Sequence, residues 1–163
     1  MSAKNPKKAL LWIVGILKKH SVQFQISGGL AARVYGSQRP LNDIDIDIPE
    51  EKFEAILNDV KDYIIYEPSW YKDKVWDLYL MTLNYHGQEI DIGGAYKIKI
   101  CDERTGKWHD FPTDFSTVEM RVVFDISVPV ISRKALIWYK NILAVDGQPH
   151  QKEDIGVIKK FNL

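Results

Sequence analysis

The sequence predicts a mixed α+β fold, a β-sheet of mixed strand direction with helices on its flanks. Three observations carry this expectation. Apolar residues recur at helical spacing near both ends of the chain, period-two stretches crowd its middle, and glycine, proline and aspartate punctuate the segments between them. One strand-like stretch stands apart, because Asp43-Ile44-Asp45-Ile46-Asp47-Ile48 alternates acid with isoleucine.

The elements follow in order. A first helix is expected from about Pro6 to His20, with Pro6 suited to the first helical position. Val22 to Ile26 reads as a short strand, broken by Ser27-Gly28-Gly29. Leu30 to Tyr35 then reads as a short helix closed by Gly36. After the acidic strand, Pro49-Glu50-Glu51 opens a helix with acids in its first turn, and Phe53, Ile56, Leu57 and Val60 recur at helical spacing. Val75 to Tyr85 is rich in β-branched, aromatic and apolar residues and ends at a turn, His86-Gly87. Gln88 to Ile92 alternates and stops at Gly93-Gly94. Tyr96 to Cys101 and Lys107 to Phe111 flank a hairpin turn over Asp102 to Gly106, and Glu119 to Phe124 makes a further strand. Pro129-Val130-Ile131-Ser132 leads into a helix from about Arg133 to Leu143 with Ser132 as its N-cap, and a last helix begins near Lys152.

Composition bounds the function classes. The 163 residues, 45% apolar and 27% charged, suit one domain over positions 1–163, with no internal repeat or flexible linker. Lysine plus arginine and aspartate plus glutamate each number 22, so the formal charge is zero. A surface given over to gripping nucleic acid is therefore not favoured. Cys101 is the sole cysteine, which excludes an intrachain disulfide and makes a reducing cytoplasm the default. Ala9 to Leu17 is apolar over only nine residues, too short to span a bilayer, and Lys18-Lys19-His20 follows where a signal peptide would carry small residues.

The acidic strand points to chemistry. Residues two apart on a strand share a face, so Asp43, Asp45 and Asp47 crowd one side while the isoleucines fill the other. Like charges at that spacing raise one another's pKa and call for a cation. Carboxylates completed by substrate phosphates and water are how magnesium is usually held, and a metal pair about 3.5–4 Å apart can clamp an in-line phosphoryl displacement. The competing reading is a solvated edge strand. An EF-hand loop fits the spacing of Asp43, Asp45, Asp47 and Glu54, but Ile48 stands where the loop needs glycine and Pro49 follows it. Two further segments could converge on the acids. Ser27-Gly28-Gly29 lies between a strand and a helix, where backbone can approach a phosphate. Asp91 alternates with isoleucines and could serve as third ligand or as base for an incoming hydroxyl, with Glu89 on the same face as its competitor. His20, His86, His109 and His150 lack ligand spacing, so no zinc site is expected. Trp70, Tyr71 and Trp76 could stack a base or sugar, but aromatics in a strand-rich region are more often core, and Cys101 reads as a packed thiol.

Gly28-Gly29, a short helix, Gly36, Arg39, Asp43-Ile44-Asp45 and a distant Asp91 together resemble the nucleotidyltransferase superfamily of DNA polymerase beta. The pattern is nearest to small single-domain lincosamide and aminoglycoside nucleotidyltransferase-like bacterial proteins. Pro129-Val130-Ile131-Ser132, Lys140 and Lys152-Glu153-Asp154 match later parts of that pattern in type and order. The resemblance implies transfer of a nucleoside monophosphate from an NTP to a hydroxyl of a small-molecule or protein acceptor, with release of pyrophosphate. It implies that Asp43 and Asp45 bind two Mg²⁺ and the NTP, and that Asp91 completes the metal site or acts as base. Ser27, Gly28 and Gly29 would face the phosphates, with Arg39 and Lys140 as further phosphate contacts. Asp47, one step along the strand, is expected to support the ligands or to be solvated. Leu30 and Leu41 depart from the tryptophan and polar residue common in such relatives, which bears on the acceptor rather than on the metal site. The alternative within the same fold is an antitoxin-like or regulatory nucleotide-binding protein acting through a toxin-type protein partner.

Overall fold

The computed structural model describes residues 4–145 and 149–161, so only Met1 to Ala3 of the basic start, with 146–148 and 162–163, lie outside it. The first helix, α1 (Pro6–Lys19), has Pro6 in its first turn and Asn5 as its cap, whose side chain accepts from the Lys8 amide at 3.0 Å. Its Ala9, Leu10, Ile13, Val14 and Leu17 are buried at helical spacing. Strand β1 (Gln25–Ser27) is shorter than its sequence suggests and passes directly into α2 (Gly28–Val34). Strand β2 (Asp43–Ile48) is the acidic stretch, and Ile44, Ile46 and Ile48 are all fully buried. The turn after Pro49 begins as 3-10 helix over Glu50–Lys52 before α3 (Phe53–Val60).

Strands β3 (Ile64–Lys72), β4 (Trp76–Tyr85) and β5 (Gln88–Gly94) form an antiparallel series. Strands β6 (Lys99–Asp102) and β7 (Lys107–Asp110) make the expected hairpin, and β8 (Glu119–Val123) and β9 (Ile126–Val130) a second one. Helix α4 (Arg133–Leu143) is capped by Ser132, which accepts from the Ala135 amide at 3.1 Å, and α5 (Pro149–Lys160) ends the described chain. α5 starts at Pro149 rather than near Lys152.

The described strands join in one nine-stranded sheet, ordered β7-β6-β4-β5-β2-β1-β9-β8, with β3 along β4. The β2–β5 and β1–β9 pairs are parallel and the others antiparallel, which makes the sheet mixed as expected. Ile44, Ile46, Ile90 and Ile92 pack in one core with Leu10, Ile13 and Leu17 of α1 and Phe53, Ile56 and Val60 of α3. The isoleucine face of β2 is thereby spent on the core, and its aspartates are turned to the other side.

Two strands escape the sequence pattern. In β3 the register to β4 shifts between Ile64 and Tyr66 and again between Tyr66 and Ser69, which scrambles the alternation. The β8–β9 turn uses Phe124 (φ 50°) and Asp125 (φ 67°) in place of the asparagine and glycine that usually mark such turns. Cys101 is buried and free, and among the described residues no helix is long and apolar enough to cross a membrane.

Candidate metal and nucleotide site

Strand register brings the acids together. In the antiparallel β1–β2 pair Ser27 stands opposite Asp45, and in the parallel β2–β5 pair Asp45 stands opposite Asp91 and Asp43 opposite Glu89. Asp43, Asp45 and Asp91 each offer a carboxylate oxygen, and these three oxygens lie within 4.8 Å of one another. Asp91 rather than Glu89 joins this group, and Glu89 is exposed one register step away. The acids line a cleft of about 800 Å³ whose opposite wall is built from α4 and α5.

The electrostatics of the group are unfavourable as it stands. Burial, reinforced by Asp43, Asp91 and Asp47, pushes the Asp45 carboxyl well above the ordinary carboxylate range, with Lys140 opposing. Burial and Glu89 raise Asp43. Burial also raises Asp91, against a hydrogen bond from the Thr82 hydroxyl at 2.7 Å. Asp47 is pushed up to about 6 by burial, although Gln25 and Ser27 donate to it, the Gln25 amide at 2.8 Å. Asp47 therefore sits beside the group, held by β1, as its place on the strand suggests. A converging set of hard oxygen donors with unoffset negative charge fits a divalent cation such as magnesium.

The glycine pair meets the acids at close range. Gly28 has φ +60°, and a Cβ built on it would lie 2.0 Å from Asp45 Oδ2, so only glycine fits there. Its amide donates to the Tyr139 hydroxyl of α4 at 2.9 Å. Burial, with Asp45 and Asp47 nearby, raises that phenol well above its usual range. Gly29 lies in the first turn of α2, where a Cβ would meet Leu41 Cδ1 at 3.9 Å, an ordinary contact. Ser27 and both glycines line the cleft.

Arg39 and Lys140 also line the cleft, but neither waits alone for an anion. Both hold Asp154 of α5, which is fully buried. Arg39 binds it in two places, Nε to Oδ1 at 2.8 Å and the guanidinium to Oδ2 at 2.6 Å. Lys140 Nζ lies 2.9 Å from Asp154 Oδ2 and donates to Gln151 Oε1 at 2.9 Å. The Ser37 hydroxyl donates to Oδ1 at 2.9 Å. Burial alone would raise Asp154, but these donors outweigh it and hold its carboxyl at about 2. Glu153 also acts on Arg39 from nearby, so the two cations stand against two carboxylates. The sequence offered Lys152-Glu153-Asp154 as a late pattern without a role for Asp154, and Tyr139 and Thr82 carry no sequence signal. Trp76 packs against the core as expected and also lines the cleft, Tyr71 lines the cleft, and Trp70 is 56% exposed.

No curated protein matches the chain. A proposed nucleotidyltransferase from Thermotoga maritima superposes with a TM-score of 0.70 at 21% identity, covering 91% of this chain and 89% of its own. The lincosamide antibiotic adenylyltransferase LnuA, in its lincomycin-bound form, gives 0.67 at 19% identity, with 98% and 100% coverage. ANT(2'')-Ia in complex with adenylyl-2''-tobramycin gives 0.63 at 17% identity, with 93% and 86% coverage. These likenesses establish a shared fold. The aminoglycoside-2''-adenylyltransferase family model matches residues 9–156, nearly the whole chain. The chain belongs to the aminoglycoside-2''-adenylyltransferase family and is a nucleotidyltransferase enzyme.

Proposed function

We propose that the protein transfers a nucleoside monophosphate, adenylate by the family's name, from an NTP to a hydroxyl of a small-molecule acceptor, with release of pyrophosphate. The observation that carries this reading is the convergence of Asp43, Asp45 and Asp91 within 4.8 Å, opposite a glycine turn and two cations in one cleft. Asp43 and Asp45 would hold two Mg²⁺, with Asp91 completing the set. When bound, these ions supply neutralisation of the triphosphate and of the charge that develops at the α-phosphorus.

The chain's own residues supply the rest. Arg39 and Lys140, steadied by Asp154, face the phosphate chain, and Ser27, Gly28 and Gly29 form the wall it passes. The acceptor oxygen bonds to the α-phosphorus as the bond to the β-phosphate oxygen breaks, and the electron pair leaves with pyrophosphate. The hydroxyl proton goes to Asp91. Thr82 donates to Asp91 Oδ1, which leaves Oδ2 to take it.

Pyrophosphate release is measured with Mg²⁺, each NTP in turn, and tobramycin or lincomycin as acceptor. The expected result is release that requires Mg²⁺ and disappears in the Asp43→Ala/Asp45→Ala variant. The reading fails if the wild type binds no NTP with Mg²⁺, or if the double variant turns over equally well. Binding without release with any acceptor would instead assign a nucleotide-binding regulator acting through a partner.

A further inference from the structure

The margins of the sheet are not built alike. β3 carries Pro68 and two register shifts, and β7 is four residues long and begins and ends on a charge, Lys107 and Asp110. Such devices discourage another strand from adding on. β8, last in the strand order, has neither, and its register to β9 runs unbroken from Glu119 to Val123. Among the described residues no strand pairs with its outer side. Its Met120 and Val122 are 61% and 73% exposed despite their apolar character. Val118, just before it, is already extended (φ −61°, ψ 149°) and lines an apolar groove of about 190 Å³ with Phe24, Phe115 and Pro129.

The turn after β8 fixes which of its backbone groups are free. Phe124 and Asp125 both have positive φ, as a type I′ turn requires, and Val123 pairs with Ile126 across it. Val123 and Ile126 therefore exchange backbone hydrogen bonds, and along an antiparallel ladder that role alternates. Glu119, Arg121 and Val123 turn their amides and carbonyls to β9, whereas Val118, Met120 and Val122 turn theirs outward. Side chains alternate in the same phase, so Glu119 and Arg121 share one face and Val118, Met120 and Val122 the other.

A second copy of the same strand matches both alternations. Paired antiparallel about a twofold axis through Met120, the two strands set Met120 against Met120 and Val118 against Val122. Each of these pairs exchanges two backbone bonds, about six in all. On the other face Glu119 of each copy stands opposite Arg121 of the other, and these side chains keep 27% and 28% of their surface exposed. Moving the axis one residue either way sets Glu119 against Glu119 or Arg121 against Arg121, with like charges face to face.

We propose that the outer edge of β8 is a self-association surface, on which a second copy of this chain adds antiparallel about Met120 and continues the sheet. None of the residues 118–123 lines the cleft, so the inference does not rest on the nucleotidyl-transfer reading.

The test is sedimentation velocity of the full chain over a concentration series, where a monomer–dimer equilibrium in the micromolar range is expected. Met120→Lys sets two lysines face to face and should weaken the dimer at least about tenfold. Oxidation reads the register. Met120→Cys should form a disulfide-linked dimer, because the opposed residues lie about 5.5 Å apart at Cα, within reach of a disulfide. Val122→Cys should not, because it faces Val118 rather than its own counterpart. Cys101 is buried, so the parent chain serves as the blank. Should Met120→Lys fail to fold, the two cysteine variants still decide. The proposal is overturned by a chain that stays monomeric at every concentration, by a dimer that folded Met120→Lys leaves intact, or by Val122→Cys cross-linking as readily as Met120→Cys.

Discussion

Replacing Gly28 by alanine tests how tightly the glycine turn and the acidic strand are fitted to one another. A Cβ at Gly28 would lie 2.0 Å from Asp45 Oδ2 and 2.7 Å from Asp45 Cγ. To restore ordinary contact the carboxylate must go from 2.0 Å to at least 3.4 Å, a retreat of about 1.4 Å. Misplacing a reacting group by about 1 Å can cost on the order of a hundredfold in rate. The φ of +60° adds a second cost, about 1–2 kcal/mol for a side chain forced into the left-handed region. Each kcal/mol lowers the melting temperature of a chain this size by about 2–4 °C. Gly28→Ala is therefore expected to melt a few degrees lower and to lose at least about a hundredfold in Mg²⁺-dependent pyrophosphate release. Gly29→Ala is the matched control, because its Cβ meets only Leu41 at 3.9 Å inside a helix. It should keep activity within a few-fold and melt no lower than the parent. Wild-type turnover in Gly28→Ala, or an equal loss in both variants, would refute the argument that the turn's closeness to Asp45 sets the site.

Asp91→Ala should lower kcat by about a hundredfold or more, while Glu89→Ala stays within a few-fold, since only Asp91 shares the converging oxygens; equal losses in steady-state assays would contradict this. Asp154, held at about 2 in the folded chain, contributes about 2 kcal/mol of stability that is fully present above the ordinary aspartate range and is lost as pH falls through about 2. Urea unfolding between pH 5 and pH 2 should therefore show a decline that is blunted in Asp154→Asn, a variant that is also less stable at neutral pH because Lys140 keeps its burial and loses its counter-charge. Ser132→Ala should cost about 1 kcal/mol in the same unfolding experiment and leave the KM for NTP unchanged, because its hydroxyl caps α4 at the Ala135 amide and lies outside the cleft lining.

What could be read from the chain alone was what a short period reveals. The alternation of β2 disclosed both its buried face and its acidic one, and the same alternation in β5 supplied Asp91. Parallel pairing then set Asp45 opposite Asp91 rather than Glu89, a two-residue choice of register that keeps the same face and that local sequence leaves open. β3 was not legible, because two register shifts erase its period, and the β8–β9 turn was not, because Phe124 and Asp125 adopt positive φ without glycine. Arg39 and Lys140 were legible as cations facing the cleft, but their shared counter-ion was not. Asp154 lies 115 residues from Arg39, and no local pattern links positions so distant. Trp70, Tyr71 and Trp76 read as core because aromatic-rich strands usually are; Trp76 does pack against the core, but Trp70 is exposed and Tyr71 lines the cleft.

The hydrogen bond from Gly28 to Tyr139 spans 111 positions of the chain. Contacts of that reach close late in folding, after the local hairpins have formed, because the loop they close carries a large entropy cost. A nascent chain that has emerged as far as Val130 already displays all three aspartates on β2 and β5, yet lacks the tyrosine, the lysine and the buried carboxylate that complete the opposite wall. Of the groups that answer the acids, Arg39 precedes them in the chain, whereas Tyr139, Lys140 and Asp154 are supplied only by α4 and α5.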